Sequence, residues 1–371
     1  MYIRILQNQI SARFNSGKAI ILIGPRQSGK TTLFNNILKD INHLYLDADN
    51  PTVRGMLTNP NFEQLKNIIS NNKFIFLDEA QRIPNIGISL KMIIDQIKDV
   101  QLLISGSSSF DLGKSLNEPL TGRKWEYTLL PISWEEFENK HGLLTSEQQL
   151  ELRLLHGFYP DVLNNPGMER DILSNLTNSY LFKDIFSYGN TRKPEIIEKL
   201  TEALAFQIGN EVNYSELSQI VGADKKTISN YIDLLEKAFI IFRLRSYSGN
   251  LRNEIKRNRK IYFFDNGIRN MIINDFTPFD QRGDKGALWE NFIISERFKY
   301  NLYHNTFKKM YFWRTKQQQE IDLLEIKDGK IEAFEIKYSE NKNYRISKSF
   351  TNNYMAETHL INKLNFRDFI S

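Results

Sequence analysis

A glycine-rich segment, GPRQSGKTT at residues 24–32, contains the residue types that bind phosphate. It fits the pattern G-x-x-x-x-G-K-[ST], follows the apolar run KAIILI and precedes helical sequence. Such a loop turns backbone N–H groups onto phosphates, its lysine reaches the β- and γ-phosphates, and its threonine binds Mg²⁺. A chance glycine-rich turn is the alternative. The predicted nucleotide contacts are Gly24, Pro25, Arg26, Gln27, Ser28, Gly29, Lys30, Thr31 and Thr32.

Two carboxylates follow a second apolar run, FIFL at 74–77. Asp78 and Glu79 would lie at the carboxyl end of a strand, where open α/β sheets bind ligands. Beside a phosphate loop this pattern predicts that Asp78 holds Mg²⁺ with Thr31 and that Glu79 polarises the attacking water. The alternative is a pair of acids that caps the next helix.

A third apolar run, QLLISG at 101–106, is followed by Ser107. Its hydroxyl could reach the γ-phosphate or the attacking water, and a serine-rich turn that caps a helix is an equal alternative. Further apolar runs at 43–47 and 126–131 bring the strands to five. Strands alternating with helix-length segments predict an α/β fold with a doubly wound parallel sheet.

These motifs together resemble those of the AAA-type ATPases of bacteria and archaea that carry a fused C-terminal domain. The resemblance rests on GPRQSGKTT, FIFLDEAQRIP, LLISGSSS, LTGRKWEYTLLPISWEEF and GFYPDVL, and covers most of the chain. It implies that ATP is the nucleotide. It also implies that Arg123 approaches the γ-phosphate bound by its own subunit or by a neighbouring subunit. A homo-oligomer is therefore one expectation. A surface loop arginine is the alternative for Arg123.

Composition limits the class of protein. The chain has 371 residues, enough for two or three domains, with 49 Lys and Arg against 44 Asp and Glu. The absence of cysteine excludes disulfides and thiol nucleophiles, and five His residues form no His-rich tract. Because no apolar stretch approaches the length of a membrane span, we expect a cytoplasmic protein without membrane contact.

The middle of the chain has the pattern of a helix-turn-helix. After helical sequence that could form a lid, residues 213–241 read as two helices joined by a short turn, and an apolar strand after a basic loop resembles a β-wing. A recognition helix and a basic loop on one side predict DNA contact, and protein contact is the alternative. The residues expected to bind DNA are Lys225, Lys226, Thr227, Asn230, Arg252, Lys256, Arg257, Arg259 and Lys260.

The C-terminal sequence predicts a hairpin around an Asp328-Gly329 turn. Paired positions then sum to 657, which places Asp322 opposite Glu335 and Lys337 on the same face. The hairpin resembles the PD-(D/E)XK nuclease fold. That resemblance makes Asp322 and Glu335 ligands of a second divalent metal, Lys337 the residue that orients water, and Glu290 an accessory acid. An ordinary solvated strand pair is the alternative.

The sequence thus predicts an ATPase with four parts that acts on DNA. They are an AAA-type ATP-binding domain (1–145), a helical lid (146–193), a winged helix-turn-helix (194–285) and a nuclease-like α/β domain (286–371). Two other functions fit the same residues. One is a nucleotide-dependent switch whose C-terminal half binds a protein, and the other is a metal-dependent nuclease gated by ATP.

Overall fold

The computed structural model describes residues 1–107, 119–181, 193–248, 259–315, 317–339 and 347–371. They divide into two compact units, one formed by residues 1–131 with 237–239 and the other by 132–236 with 240–371. The predicted segments 146–193, 194–285 and 286–371 therefore do not form three separate compact units. The first boundary lies near residue 131 instead of 145.

The N-terminal unit is built on a five-stranded sheet in the order β2-β3-β4-β1-β5, with every neighbouring pair parallel. All five residues of β1 are buried, which explains its uninterrupted apolar sequence. The five predicted strands are confirmed. The strands are β1 Ala19–Ile23, β2 Leu44–Asp47, β3 Phe74–Asp78, β4 Gln101–Gly106 and β5 Lys124–Thr128. The helices are α1 Leu6–Ser11, α2 Lys30–Ile37, α3 Pro51–Leu57, α4 Phe62–Ile69 and α5 Ile86–Gln96.

The C-terminal unit begins with a helix that the sequence assigned to the ATPase domain. Ser133 caps α6 (Trp134–His141) in a capping box with Glu136. The Trp134 side chain is fully buried among Phe137, Phe158 and Phe292, and its backbone N–H donates to Glu296 Oε2 at 2.7 Å. These contacts lie within the second unit, which is why the boundary comes earlier than predicted.

A helical layer follows, beginning in the segment 146–193 that the sequence assigned to a helical lid. Pro194 occupies the first turn of its helix, where the missing N–H costs no hydrogen bond. The helices are α7 Leu143–His156, α8 Pro160–Asn164, α9 Glu169–Asn175, α10 Pro194–Phe206, α11 Tyr214–Val221, α12 Lys225–Lys237, α13 Asn266–Ile272, α14 Lys285–Tyr303, α15 Lys348–Thr351 and α16 Phe366–Ile370.

One mixed seven-stranded sheet joins the predicted wing to the predicted nuclease-like hairpin. Its order is β12-β11-β10-β9-β7-β8-β6. The wing strands β7 and β8 pair antiparallel, and β7 also pairs parallel with β9 through Arg245 and Tyr311. The winged helix is therefore not a separate module. The strands are β6 Glu211–Val212, β7 Ile241–Ser246, β8 Arg259–Phe263, β9 Lys309–Arg314, β10 Glu320–Lys327, β11 Lys330–Ile336 and β12 Ala356–Ile361.

Within the described residues, no helix is both long and apolar enough to cross a membrane.

Candidate functional site

The glycine-rich segment joins the carboxyl end of β1 to the amino end of α2. A Cβ atom on Gly24 would lie 2.1 Å from the Leu129 carbonyl oxygen, so only glycine fits there. Gly29 has a φ of 94°, in the left-handed region that favours glycine, and Gln27 takes a φ of 58°. The loop is thus shaped by β5 on one side and by its own backbone conformation.

Lys30 lies over this loop. Its side chain is 5% exposed, and its ammonium donates to the carbonyl oxygens of Gly24 at 3.0 Å and Pro25 at 2.8 Å. The charge is therefore held at the loop where a phosphate would bind. Among the other predicted contacts, Ser28 is buried, Arg26 is half-buried and Thr32 is exposed.

Thr31 and Asp78 come together from two elements. The Thr31 hydroxyl donates to Asp78 Oδ2 at 2.8 Å, and the other Asp78 oxygen contacts the Ser105 hydroxyl. Hydroxyl and carboxylate oxygens are ligands that Mg²⁺ takes, so these residues fit the ion that the fold implies. The sequence reasoning missed Ser105, although a serine inside the apolar strand β4 is a visible signal.

Tyr45 is a further residue at this site. Its hydroxyl donates to Asp78 Oδ2 at 3.2 Å, and the β2–β3 register places Asp47 beside Asp78. Burial, followed by the charges of Asp78 and Asp47, raises the pKa of Tyr45 well above its usual value. The phenol therefore stays protonated and can go on donating its hydrogen bond to Asp78.

Glu79 leaves the strand in an uncommon backbone conformation. Its φ is 52°, and its backbone N–H lies within hydrogen-bond distance of Asp78 Oδ1 (3.1 Å) and Ser105 Oγ (3.2 Å). Its carboxylate accepts from the Gln81 side-chain amide, which also donates to Ser107 Oγ at 2.8 Å. The predicted positions of Glu79 and Ser107 thus meet around Gln81, a residue that the sequence reasoning passed over.

Arg123 lies at the opposite end of the sheet. Its backbone carbonyl accepts from Ala19, the first residue of β1, whereas the phosphate loop follows the last. At about 3.3 Å per residue the strand separates the two by roughly 15 Å. The guanidinium pairs with Asp95 at 2.6 Å. The role toward its own subunit's phosphate is therefore corrected, and a role toward a neighbouring subunit stays a prediction.

The two helices of the predicted helix-turn-helix are present. Gly222 ends α11 with a φ of 75°, and Lys225, Lys226 and Asn230 are exposed at the start of α12. Thr227 is engaged in capping, because its hydroxyl donates to Asp224 Oδ2 at 2.6 Å. That hydrogen bond holds the pKa of Asp224 below its usual value.

The basic loop before β8 gives a mixed result. Arg252, Lys256 and Arg257 lie outside the described residues, and Arg259 is half-buried at the start of β8. Lys260 was wrongly assigned to DNA binding, because its side chain is 1% exposed and its ammonium lies between Glu290, at 3.0 Å, and Glu320. Both faces of β8 are covered here, since residues 260–263 are all buried, which the loop sequence did not indicate.

The hairpin register is confirmed where the ladder extends. Leu323 faces Phe334 and Lys327 faces Lys330, both pairs summing to 657. Beyond that ladder, Asp322 accepts from the backbone N–H of Ile336 at 2.8 Å. Lys337 Nζ lies 2.8 Å from Glu335 and 3.5 Å from Asp322.

Two lysines therefore supply the positive charge between the acids of this carboxylate–lysine cluster, which comprises Lys260, Glu290, Glu320, Asp322, Glu335 and Lys337. Opposed carboxylates repel unless a cation lies between them, and for Asp322 and Glu335 the structure places the Lys337 ammonium there. Within the described residues, the acidic and histidine side chains whose ligand atoms lie close enough together to hold a metal ion belong to a different group. They are Glu332, Glu357 and His359. The second metal is not supported by this arrangement.

Burial shifts the titration of the cluster. Burial raises the pKa of Glu290 to about 6, partly offset by Lys260, and burial followed by the charge of Asp322 raises that of Glu335. Burial opposes the charge on Lys260 and Lys337, but the surrounding carboxylates outweigh it and raise both pKa values. Both lysines therefore stay charged.

Comparison with known proteins finds matches to three successive segments of the chain. Residues 16–138 match a family model described as an AAA domain, and residues 147–278 and 285–367 match two domains of unknown function, DUF8612 and DUF4143. An uncharacterised protein of Mycobacterium tuberculosis is 28% identical over 321 residues, which cover 86% of this chain and 70% of the relative. An uncharacterised protein of Methanocaldococcus jannaschii is 22% identical over 363 residues, covering 91% and 79%.

Among solved structures, a Walker-type ATPase of Pyrococcus abyssi aligns with 14% identity and a TM-score of 0.49, covering 73% of this chain and 96% of its own. The family match covers the five-stranded sheet and every residue of the phosphate loop. The N-terminal part of this chain therefore matches the AAA domain family, and the match includes the whole phosphate loop.

Proposed function

We propose that the chain hydrolyses ATP and uses the cycle to act on DNA through its C-terminal unit. The observation that carries the hydrolysis is the Thr31–Asp78 hydrogen bond of 2.8 Å beside Lys30. Thr31 and Asp78 would hold Mg²⁺, which neutralises charge on the β- and γ-phosphates when bound. Lys30 would bind the phosphates, and Glu79 would take a proton from the attacking water.

The support for DNA as the partner is the exposed start of α12. Lys225 and Lys226 lie there, near Asn230, in the N-terminal part of the second helix. In recognition helices this N-terminal part contacts the bases. Lysines that neutralise phosphates release counterions and make binding depend steeply on salt. Because Lys260 is buried, the proposed DNA contact depends more on Lys225 and Lys226 than the sequence alone indicated.

Reversal of both charges tests this surface. We expect Lys225→Glu/Lys226→Glu to weaken duplex DNA binding and to flatten its salt dependence, with ATP affinity unchanged. Each lost phosphate contact lowers the slope of log K against log salt by about 0.9. Fluorescence anisotropy with labelled duplex DNA, measured from low to high salt, gives both quantities.

The matched control is Lys98→Glu/Lys199→Glu, which makes the same charge change at two exposed lysines outside α12. It should bind DNA with a slope close to that of the wild type. Equal weakening by both double variants would indicate a general charge effect. Unchanged binding in the α12 variant would favour the alternative in which the C-terminal unit binds a protein.

Metal-dependent DNA cleavage is a second candidate, favoured by the proximity of Asp322, Glu335 and Lys337. Carboxylate oxygens suit Mg²⁺ or Mn²⁺, and Lys337, with a side chain 52% exposed, can leave its place between them. Asp322 and Glu335 would then hold the metal, Lys337 would orient water, and Glu290 would lie behind them as an accessory acid.

If the domain cuts DNA, Asp322→Ala and Lys337→Ala should each abolish cleavage in Mg²⁺ or Mn²⁺, with ATP turnover intact. Lys348→Ala, at an exposed lysine of the same unit, is the control. Gel assays on supercoiled and linear DNA measure cleavage. Wild-type protein that cuts no DNA with either metal would leave this cluster with a structural or DNA-binding role.

A further inference from the structure

Gln81 lies in a short turn directly after Asp78 and Glu79. The turn, Ala80–Arg82, folds back because Arg82 N–H donates to the Glu79 carbonyl at 2.9 Å. The Gln81 side chain is thereby returned to the carboxyl edge of the sheet. There its Nε2 group donates to the Glu79 carboxylate and to Ser107 Oγ, the latter at 2.8 Å.

The orientation of this side-chain amide is fixed by its neighbours. A carboxylate can only accept hydrogen bonds, so the nitrogen of Gln81 must face Glu79 and the oxygen must point elsewhere. That oxygen, Oε1, is buried, and no donor lies within hydrogen-bond distance of it in the part of the chain that the structure describes. Because buried polar atoms are normally hydrogen-bonded, this acceptor is available to a donor that enters the site during the reaction.

We propose that Gln81 completes the hydrolytic site by orienting the attacking water together with Glu79. Its Nε2 group holds the Glu79 carboxylate in place, and its Oε1 accepts a hydrogen bond from the water. This inference rests on the proposed function, since it requires Glu79 to act on water.

Glu79 takes one proton from the water, and the water oxygen forms a bond to the γ-phosphorus. The bond between that phosphorus and the bridging oxygen breaks, and its electron pair leaves with ADP. Gln81 forms and breaks no covalent bond. Its contribution is to align the water and the carboxylate, and misalignment by about 1 Å can cost a hundredfold in rate.

Two substitutions of Gln81 test this role in the full-length protein. Gln81→Met keeps the length of the side chain and removes both hydrogen-bonding groups. We expect its kcat for ATP hydrolysis to fall by about 100-fold with the affinity for ATP unchanged. Gln96→Met, at an exposed glutamine that ends α5, should behave as the wild type.

Gln81→Glu places a second carboxylate beside Glu79. Two adjacent carboxylates raise the pKa of one of them, and the base must be deprotonated to act. The acidic limb of the kcat–pH profile should therefore move to higher pH. The shift tests whether the side chain at position 81 lies against the Glu79 carboxylate in solution, and this readout does not depend on the stability of Gln81→Met.

The inference is overturned if Gln81→Met keeps the wild-type kcat or loses ATP affinity in proportion to kcat. It is also overturned if the acidic limb stays in place in Gln81→Glu. Failure of the proposed function is distinguishable, because then the wild type would not hydrolyse ATP, or Glu79→Gln would hydrolyse it normally, and the role of Gln81 would fall with it.

Discussion

Lys30→Ala should lose ATP binding and, with it, hydrolysis. The ammonium lies at the loop carbonyls of Gly24 and Pro25, and removing it leaves the phosphates without their nearest positive charge. Loss of one partner of a desolvated charge pair costs about 2–5 kcal/mol, so ATP affinity should fall by at least about 30-fold. Equilibrium titration with a fluorescent ATP analogue measures the affinity, and phosphate release measures turnover.

The control for this variant is Lys39→Ala, which removes an exposed lysine just beyond the same helix. It should bind and hydrolyse ATP as the wild type does. Near-normal ATP affinity in Lys30→Ala would contradict the assignment of the phosphate loop itself, whatever happened to turnover.

Glu79→Gln should separate binding from chemistry. The substitution keeps the size of the side chain and removes the group that takes the proton, while Lys30, Thr31 and Asp78 remain in place. General base catalysis contributes about 10²- to 10⁴-fold, so kcat should fall by that factor with ATP affinity retained. Single-turnover hydrolysis and ATP titration on the same preparation provide the two values.

Glu63→Gln makes the same chemical change at an exposed residue of α4 and should leave both values unchanged. Normal turnover in Glu79→Gln would show that Glu79 is not the base. Asp78 and Asp47 would then be the candidate bases. Lost ATP affinity would instead assign Glu79 a role in binding.

The N-terminal unit could be predicted from sequence because each of its signals is local. A strand buried on both faces has a continuous apolar sequence. The phosphate loop is one short segment of sequence, and Asp78 and Glu79 are adjacent in sequence. The position of Arg123 relative to the phosphate loop was harder to predict, because a sequence motif does not indicate at which edge of the sheet its loop lies. Only the pairing of Ala19 with Lys124 shows that.

The C-terminal unit was predicted in pieces. The Asp328-Gly329 turn determined the hairpin register, since a two-residue loop leaves little choice of pairing. The parallel pairing of β7 with β9 joins segments more than 60 residues apart, and no local pattern specifies such a partner. For the same reason Lys260, which the sequence shows beside a basic loop, could not be recognised as the partner of Glu290 and Glu320.

ATP turnover measured with and without duplex DNA, across a salt series, decides whether hydrolysis is coupled to DNA binding. We expect DNA to stimulate phosphate release at low salt, and the stimulation to decline steeply as salt rises, because phosphate contacts release counterions. Lys225→Glu/Lys226→Glu should reduce the stimulation while leaving turnover without DNA unchanged. Turnover that is the same with and without DNA at every salt concentration would contradict the account.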